Sequence, residues 1–214
     1  MLEVLLCQKF LPEHGGTVRW MFEAYRRWPR PVEVVTHNYY DYPPRTPSFP
    51  HQPERPTSGD HASHPNLTID RRDIFLNNWG VDRPSRIVRY GRMARAIKER
   101  FDRAPNETIR VHCIHAVPEA TSLWPLKKLY GKRLQVVSYA HGEEITACCS
   151  SRQLKFLMMR AHDIIDLMLA NSSYTQNIAK DYIDPKKIRI INPGVDIEEF
   201  ADAPRLGQAW RQKN

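Results

Sequence analysis

Apolar residues in this chain come either in short unbroken runs or at three- and four-residue spacing, and the two patterns alternate almost from end to end. LEVLLC (2–7) and VEVVTHN (32–38) are runs of the kind that a strand buried on both faces requires. Between them Val18, Met21, Phe22, Tyr25 and Trp28 fall at helical spacing, with Thr17 placed to cap the helix and Pro29 to end it. Further strands are predicted at NLTIDRRDIF (66–75), TIRVHCIH (108–115), LQVVSYAHG (134–142), LMLANS (167–172) and IRIINPGV (188–195). Helices are predicted over Pro84 to Phe101, Pro118 to Tyr130 and Ser151 to His162, with another starting near Ser173. This alternation predicts a Rossmann-like α/β fold, a doubly wound parallel sheet of about seven strands joined by right-handed crossovers.

One stretch breaks the pattern. Residues 41–65 hold seven prolines together with His51, His61 and His64, and read as a long surface excursion whose histidines are solvated. The remaining chain is rich enough in apolar residues, 41% against 26% charged, to bury a real core. Collagen, coiled coil and wholesale disorder are excluded. No run approaches the roughly 18 apolar residues of a membrane span, and Glu3 interrupts the start where a signal peptide needs an apolar stretch. The four cysteines, Cys7, Cys113, Cys148 and Cys149, show no paired spacing. The expectation is a soluble protein of the reducing cytoplasm.

The formal charge of +8 points to polyanionic partners, and its location narrows the choice. Residues 83–103 carry eight basic side chains against Glu99 and Asp102, which is +6 of the total. On a helical wheel Ile87, Tyr90, Ala94, Ile97 and Phe101 form an apolar stripe, while Arg89, Arg92, Arg100 and Arg103 gather on the opposite face. That face is either a solvated helix surface or a candidate membrane-facing patch for anionic lipid. Nucleic acid is disfavoured, because Tyr90 and Phe101 lie on the apolar stripe rather than among the exposed arginines.

Ligands of such sheets bind beyond the carboxyl ends of the strands. The residues there are Glu13 to Gly16, His37, His115, His141 to Glu144, Asn171 with Ser172, and Asn192 to Val195. Gly15 and Gly16 open a helix, where a phosphate or sugar can approach backbone N–H groups, although the same pair also serves as a plain tight turn. His141, followed by Glu143 and Glu144, projects an imidazole and two carboxylates toward the ligand side, and His can exchange protons near neutral pH. His112 and His115 point away from each other, so no shared metal site is expected, and the cysteine and histidine spacings form no zinc motif. The dinucleotide fingerprint, the phosphate loop and the serine nucleophile elbow are all missing.

Several of these segments, in this order, resemble the amino-terminal half of a GT-B glycosyltransferase of the large retaining family 4. They are FLPEHGG (10–16), YAHGEE (139–144), LANSSYT (169–175) and IINPGVDIEEF (190–200). The resemblance implies retaining transfer from a nucleotide-sugar to a lipid-linked, glycan or small-molecule acceptor, in a cleft between two Rossmann-like domains. It implies no metal or other cofactor. It places Gly15 and Gly16 against the donor diphosphate or the acceptor and His141, the catalytic candidate, against the donor sugar. His115, Glu143, Glu144, Asn171 and Asn192 are the remaining substrate-binding candidates.

By the same resemblance residues 1–200 form the acceptor-side domain and 201–214 begin an interdomain linker. The second domain, with its basic diphosphate site and Glu-x7-Glu motif, is expected to lie beyond Asn214, leaving this chain inactive alone. Glu99 and Glu107 have that motif's spacing but sit between the third and fourth predicted strands. Two other readings stay open: a non-catalytic Rossmann-like module binding a polyanion through the arginine helix, and a plain nucleotide-binding protein.

Overall fold

The computed structural model describes residues 1–13, 15–38 and 64–194. The proline-rich excursion apart from its last two residues, with His51 and His61, lies outside them, as does the expected linker at 201–214. Seven strands form one sheet: β1 (Leu2–Leu6), β2 (Val32–His37), β3 (Leu67–Arg72), β4 (Ile109–Cys113), β5 (Leu134–Ala140), β6 (Leu167–Ala170) and β7 (Ile188–Ile190). Their order is β3-β2-β1-β4-β5-β6-β7, and every neighbouring pair is parallel. This is the predicted doubly wound sheet, with β1 near its middle. Val4, Leu5 and Leu6 are wholly buried, as a strand covered on both faces demands.

One face is covered by α1 (Gly16–Arg26), which buries Val18, Met21 and Tyr25 against Leu5, Val32, Val34, Ile114 and Tyr139. The helix begins at Gly16 with Gly15 as its cap residue, so Thr17 lies inside it and does not cap. The other face is covered by α2 (Pro84–Arg103), α3 (Trp124–Tyr130), α4 (Glu143–Cys149) and α5 (Arg152–Ile164). The last helix, α6 (Ser173–Ala179), starts from Ser172, whose hydroxyl accepts from the Thr175 N–H, and Ser151 caps α5 in the same way through Leu154. The helix predicted over 118–130 forms but is irregular: Ala116–Ala120 is one wide π-helical turn with Val117 outside helical geometry, and a turn at Leu123 separates it from the regular α-helix Trp124–Tyr130. No described helix is long and apolar enough to cross a membrane.

The arginine helix departs most from its wheel. Ile87 is 55% exposed, and the buried face of α2 is Tyr90, Met93, Ala96, Ile97, Arg100 and Phe101. Arg100 is therefore no candidate for a membrane-facing surface: its side chain is 2% exposed and sits on the carboxylates of Glu33, at 3.0 Å, and Asp70, at 2.7 Å. Its third donor reaches the Ala96 carbonyl at 2.8 Å. The fork of the guanidinium satisfies two strands and its own helix at once, which is how a charge is kept inside. Asp70 is held below the usual carboxylate range because Arg72 and Arg100 outweigh its burial.

The outer face is paired rather than bare, although basic residues still outnumber their acidic partners. Arg89 and Arg92 share Asp73, Arg103 meets Glu33, Arg86 meets Asp82, Arg95 meets Glu99 and Lys98 meets Asp102. Of the eight basic residues between 83 and 103, Arg83 alone lacks an acidic partner among the described residues.

These contacts set an expectation for stability. Arg100→Ala takes one of two cationic partners from each of Glu33 and Asp70, which keep Arg103 and Arg72 and are about a quarter exposed, so the loss lies no higher than the low end for a broken buried pair, about 3 kcal/mol. Arg95→Gln, at a side chain 80% exposed, should change the urea midpoint by no more than about 0.5 kcal/mol equivalent. Equal midpoints for the two variants would remove Arg100 from the core's account.

Candidate functional site

Parallel strands bring their carboxyl ends to one rim, and the predicted polar residues collect there. β5 delivers His141, β4 delivers His115, and their ring centroids stand 5.4 Å apart. Trp20 of α1, one turn beyond Gly16, lies edge-on to His141 at 5.6 Å, and Trp79 packs against His115 at the same separation. Gly15 and Gly16 are exposed at the start of α1, and a Cβ on either would meet nothing within 4 Å. Packing does not require glycine at these two positions; what glycine leaves is open backbone at the positive end of a helix.

Two carboxylates lie beneath the histidines. Glu119, 1% exposed, accepts the Gln8 N–H at 3.2 Å and has its other oxygen 3.7 Å from His115 Nδ1, within charge attraction but beyond hydrogen-bond range. Glu144, 4% exposed, accepts the His141 N–H at 2.8 Å. One oxygen of each carboxylate, His115 Nδ1 and His141 Nε2 are buried and unpartnered among the described residues. Four such atoms in one cluster are costly to the fold, and buried groups left open in this way mark a place where something else completes them.

The two histidines are driven apart electrostatically. Burial and the neighbouring His115 push His141 down to about 4, so its ring is neutral at physiological pH. Burial also works against charge on His115, but Glu119, helped by Glu144 and Glu143, overcomes it and holds the ring above its ordinary value. Glu144 is pushed up by its burial, against the opposing pull of His115 and backbone N–H groups. A pair of like groups with separated protonation states is the arrangement from which acid and base roles are drawn.

The next strand end is tied into the same rim. Asn171 donates to the His141 carbonyl at 3.3 Å and accepts from the Thr175 hydroxyl at 2.7 Å. Gly142 adopts φ +101°, and a Cβ there would come within 3.0 Å of Thr175 Oγ1, so this glycine is required by both conformation and space. Glu143 is exposed on the first turn of α4 and reaches the cluster through its charge on His115, and Asn192 is exposed beyond β7, outside the cluster. His112 points to the other end of its strand and bonds Glu3 at 2.9 Å, away from His115. No described group of three or more His, Cys, Asp and Glu residues is arranged to hold a metal ion. Sequence reasoning missed Glu119, Gln8, Trp20 and Trp79; only Glu119, four residues after His115, carried a signal.

Residues 14–199 match Glycosyltransferase Family 4. The chain belongs to this family. No match was found among curated protein sequences. Among solved structures the fold is similar to that of HepE of Anabaena in complex with UDP-glucose, at 12% identity and TM-score 0.60, covering 98% of this chain and 50% of that one. The alpha,alpha-trehalose-phosphate synthase (UDP-forming) of Burkholderia xenovorans in complex with glucose-6-phosphate is similar at 10% identity and TM-score 0.61, covering 98% and 53%. A sucrose-phosphate synthase chain from Thermosynechococcus elongatus, at 15% identity and TM-score 0.56, matches over 99% of this chain and 98% of its own length. This family 4 chain spans about half the length of the HepE chains.

The titration of the site predicts how stability follows pH. His141 and His162 both fall from about 6.5 to about 4 on folding, chiefly through burial, so between these values the unfolded chain binds more protons. Their contribution is complete above pH 6.5 and is lost as pH falls toward 4. His115, raised, works in the opposite direction, its contribution present at low pH and lost as pH rises past its folded value. His112, also lowered chiefly by burial, adds in the same direction, so urea unfolding should weaken between pH 6.5 and 4, with His141 and His162 together contributing a limiting slope of about two protons, or about 2.7 kcal/mol per pH unit. His162→Asn should remove about one of them, and a midpoint flat from pH 6.5 to 5 would contradict the assignment.

Proposed function

We propose that this chain is the acceptor-side lobe of a retaining glycosyltransferase that moves a hexosyl group from a nucleotide-sugar to a hydroxyl acceptor. Family membership gives the reaction class. The buried, unpartnered set of His115, Glu119, His141 and Glu144 at the carboxyl rim is the observation that carries the placement. UDP and UDP-glucose bound to HepE support a nucleotide-sugar as donor.

In this reading neutral His141 offers Nε2 to a hydroxyl of the donor sugar, fixing the ring as positive charge grows at its anomeric carbon. His115, whose protonated form Glu119 favours against its burial, stands on the same wall as a second donor. The bond from the anomeric carbon to the diphosphate oxygen breaks as the acceptor oxygen bonds the same face, and the acceptor proton passes to the departing phosphate oxygen. Front-face attack retains configuration, needs no protein nucleophile and calls for no metal. Gly15 and Gly16 leave room for a phosphate or sugar at the start of α1, and Asn171 holds the loop that carries His141.

The polyanion-binding alternative loses its basis with the arginine helix, since seven of the eight basic residues there already have acidic partners. The same pairing removes Arg89, Arg92 and Arg103 as a free patch for an anionic membrane, so the acceptor is taken to be a sugar or small molecule rather than a lipid held by that face.

The test is a transfer assay in a two-lobed protein that carries these 214 residues, with UDP-glucose as donor and the product anomer read by proton NMR. His141→Ala should lower kcat by about 10²- to 10⁴-fold while unfolding remains cooperative, the range for a lost proton-handling or electrostatic contact. The product should keep the donor's anomeric configuration, and the 214-residue chain alone should give no turnover. An inverted product, unchanged kcat or turnover by the lone chain would each refute the corresponding part of the proposal.

A further inference from the structure

The wall beneath the rim histidines contains a carboxylate whose two oxygens serve different segments. Glu119 Oε1 accepts the Gln8 N–H at 3.2 Å, and Oε2 lies 3.7 Å from His115 Nδ1. Gln8, itself buried, continues the tie, since its Oε1 accepts the Leu76 N–H at 2.6 Å. Gln8 follows β1 and begins the loop that runs to Gly15 and Gly16, and Leu76 stands three residues before Trp79, which packs on the His115 ring. Farther along, the loop is fastened by Arg71, which donates to the Leu11 carbonyl at 2.6 Å, and by Glu13, which bonds His37 at 2.7 Å. One buried side chain thus joins the glycine loop to the imidazole.

Glu119 has a rigid support. It belongs to the wide turn Ala116–Ala120, closed by the Ala120 N–H on the His115 carbonyl at 3.4 Å. The Ser122 hydroxyl donates to the Glu119 carbonyl at 2.6 Å, and the Thr121 hydroxyl reaches the Leu157 carbonyl at 3.2 Å, which anchors the turn to α5. Turns of this width are uncommon and gather at functional sites. The His115 side chain keeps 22% of its surface open, and because Nδ1 is buried the open edge is the one that bears Nε2. Glu143 and Glu144 of α4 act on the ring in the same sense as Glu119, while His141 of β5 stands across from it as a like group. With the Nδ1 proton drawn to a carboxylate, Nε2 accepts when the ring is neutral and donates when it is charged.

We infer that Glu119 is a positioning residue of the transfer site: it directs His115 Nδ1 inward so that Nε2 faces the substrate as a donor, and through Gln8 it holds the loop of Gly15 and Gly16 in place against that ring. The contact between Glu119 and His115 shortens to a hydrogen bond when the site is filled, as such contacts do once substrate is bound. The role in transfer rests on the glycosyl-transfer reading; the placement of ring and loop does not.

The experiment compares the parent with Glu119→Gln, which keeps an oxygen for the Gln8 N–H but loses the charge, and with Glu119→Ala, which loses both. In the 214-residue chain, proton–nitrogen NMR of the histidine rings should show neutral His115 carrying its proton on Nδ1. Glu119→Gln should lower the pH at which His115 gains its second proton by about one pH unit or more and leave the Gly15 and Gly16 amide signals unmoved, whereas Glu119→Ala should change both. In a two-lobed protein carrying these residues, with UDP-glucose as donor, the alkaline limb of kcat should follow the ring. Glu119→Gln should lose about 10-fold near pH 8 with KM within about twofold, and recover as pH falls toward 5, still above the value of about 4 at which His141 is protonated. A carboxylate that only supported the fold would give a loss that acid does not restore.

Neutral His115 with its proton on Nε2, or an unchanged titration of His115 in Glu119→Gln, would overturn the positioning of the ring whatever the protein transfers. Unmoved glycine amides in Glu119→Ala would overturn the tie to the loop, and if that variant does not fold, the parent's ring and Glu119→Gln decide. The expected NMR result with an unshifted kcat profile would overturn the role in transfer, and no transfer by the parent would instead refute the glycosyl-transfer reading.

Discussion

A parallel strand can be followed by another only if the chain crosses back over a face of the sheet, and that constraint organises everything else in this molecule. Each crossover must be covered, so the central strands are apolar on both sides and helices occupy both faces. Each crossover also returns the chain to the same starting edge, so all seven strands finish at the opposite one. His37, His115, His141 and Asn171 come from four separate segments yet meet on one rim because no other arrangement of parallel strands is open to them.

Buried charge is treated differently at the two edges. Near the strand beginnings, Glu3 has both oxygens engaged, by Arg30 at 2.6 Å, Arg110 at 3.4 Å and His112 at 2.9 Å, and it is held below the usual carboxylate range by those partners despite its burial. Glu33 is answered by Arg100 and Arg103. Near the strand ends, Glu119 and Glu144 each keep an oxygen without a partner. The first edge is a closed electrostatic unit that holds β1 to β4 together. His112 Nδ1 and Trp28 Nε1 are open at the first edge too, so what sets the second apart is that its open groups include two carboxylate oxygens beside two imidazole nitrogens.

The sheet was legible because burial on both faces writes continuous apolar runs, and the seven runs predict the seven strands, closely except at β7, which ends at Ile190 where the run predicted 188–195. The rim was legible for the same reason, since strand ends name the residues beyond them. Arg100 was not: a wheel sorts by residue type, and nothing local to α2 announces that Glu33 and Asp70 await a guanidinium from 67 and 30 positions away. The helix α4 was missed although Glu143 and Glu144 are the acids expected in a first turn, because the same pair reads equally well as ligand carboxylates. Glu119 was passed over because it falls at the start of a predicted helix, where an acid reads as an ordinary first-turn residue, and only its four-residue spacing from His115 pointed to the rim.

Each of the two rim histidines packs against its own indole, Trp20 beside His141 and Trp79 beside His115. A protonated imidazole quenches indole emission where a neutral one does not, so the pairing gives the site an optical readout of its own charge state. Because His115 takes its proton at higher pH than His141, the two tryptophans dim at different points of an acid titration. The chain holds five tryptophans, Trp28 lying against His112, so removing Trp20 or Trp79 in turn assigns each change in emission to one rim ring, and anything seated between them becomes visible through the light they lose or regain.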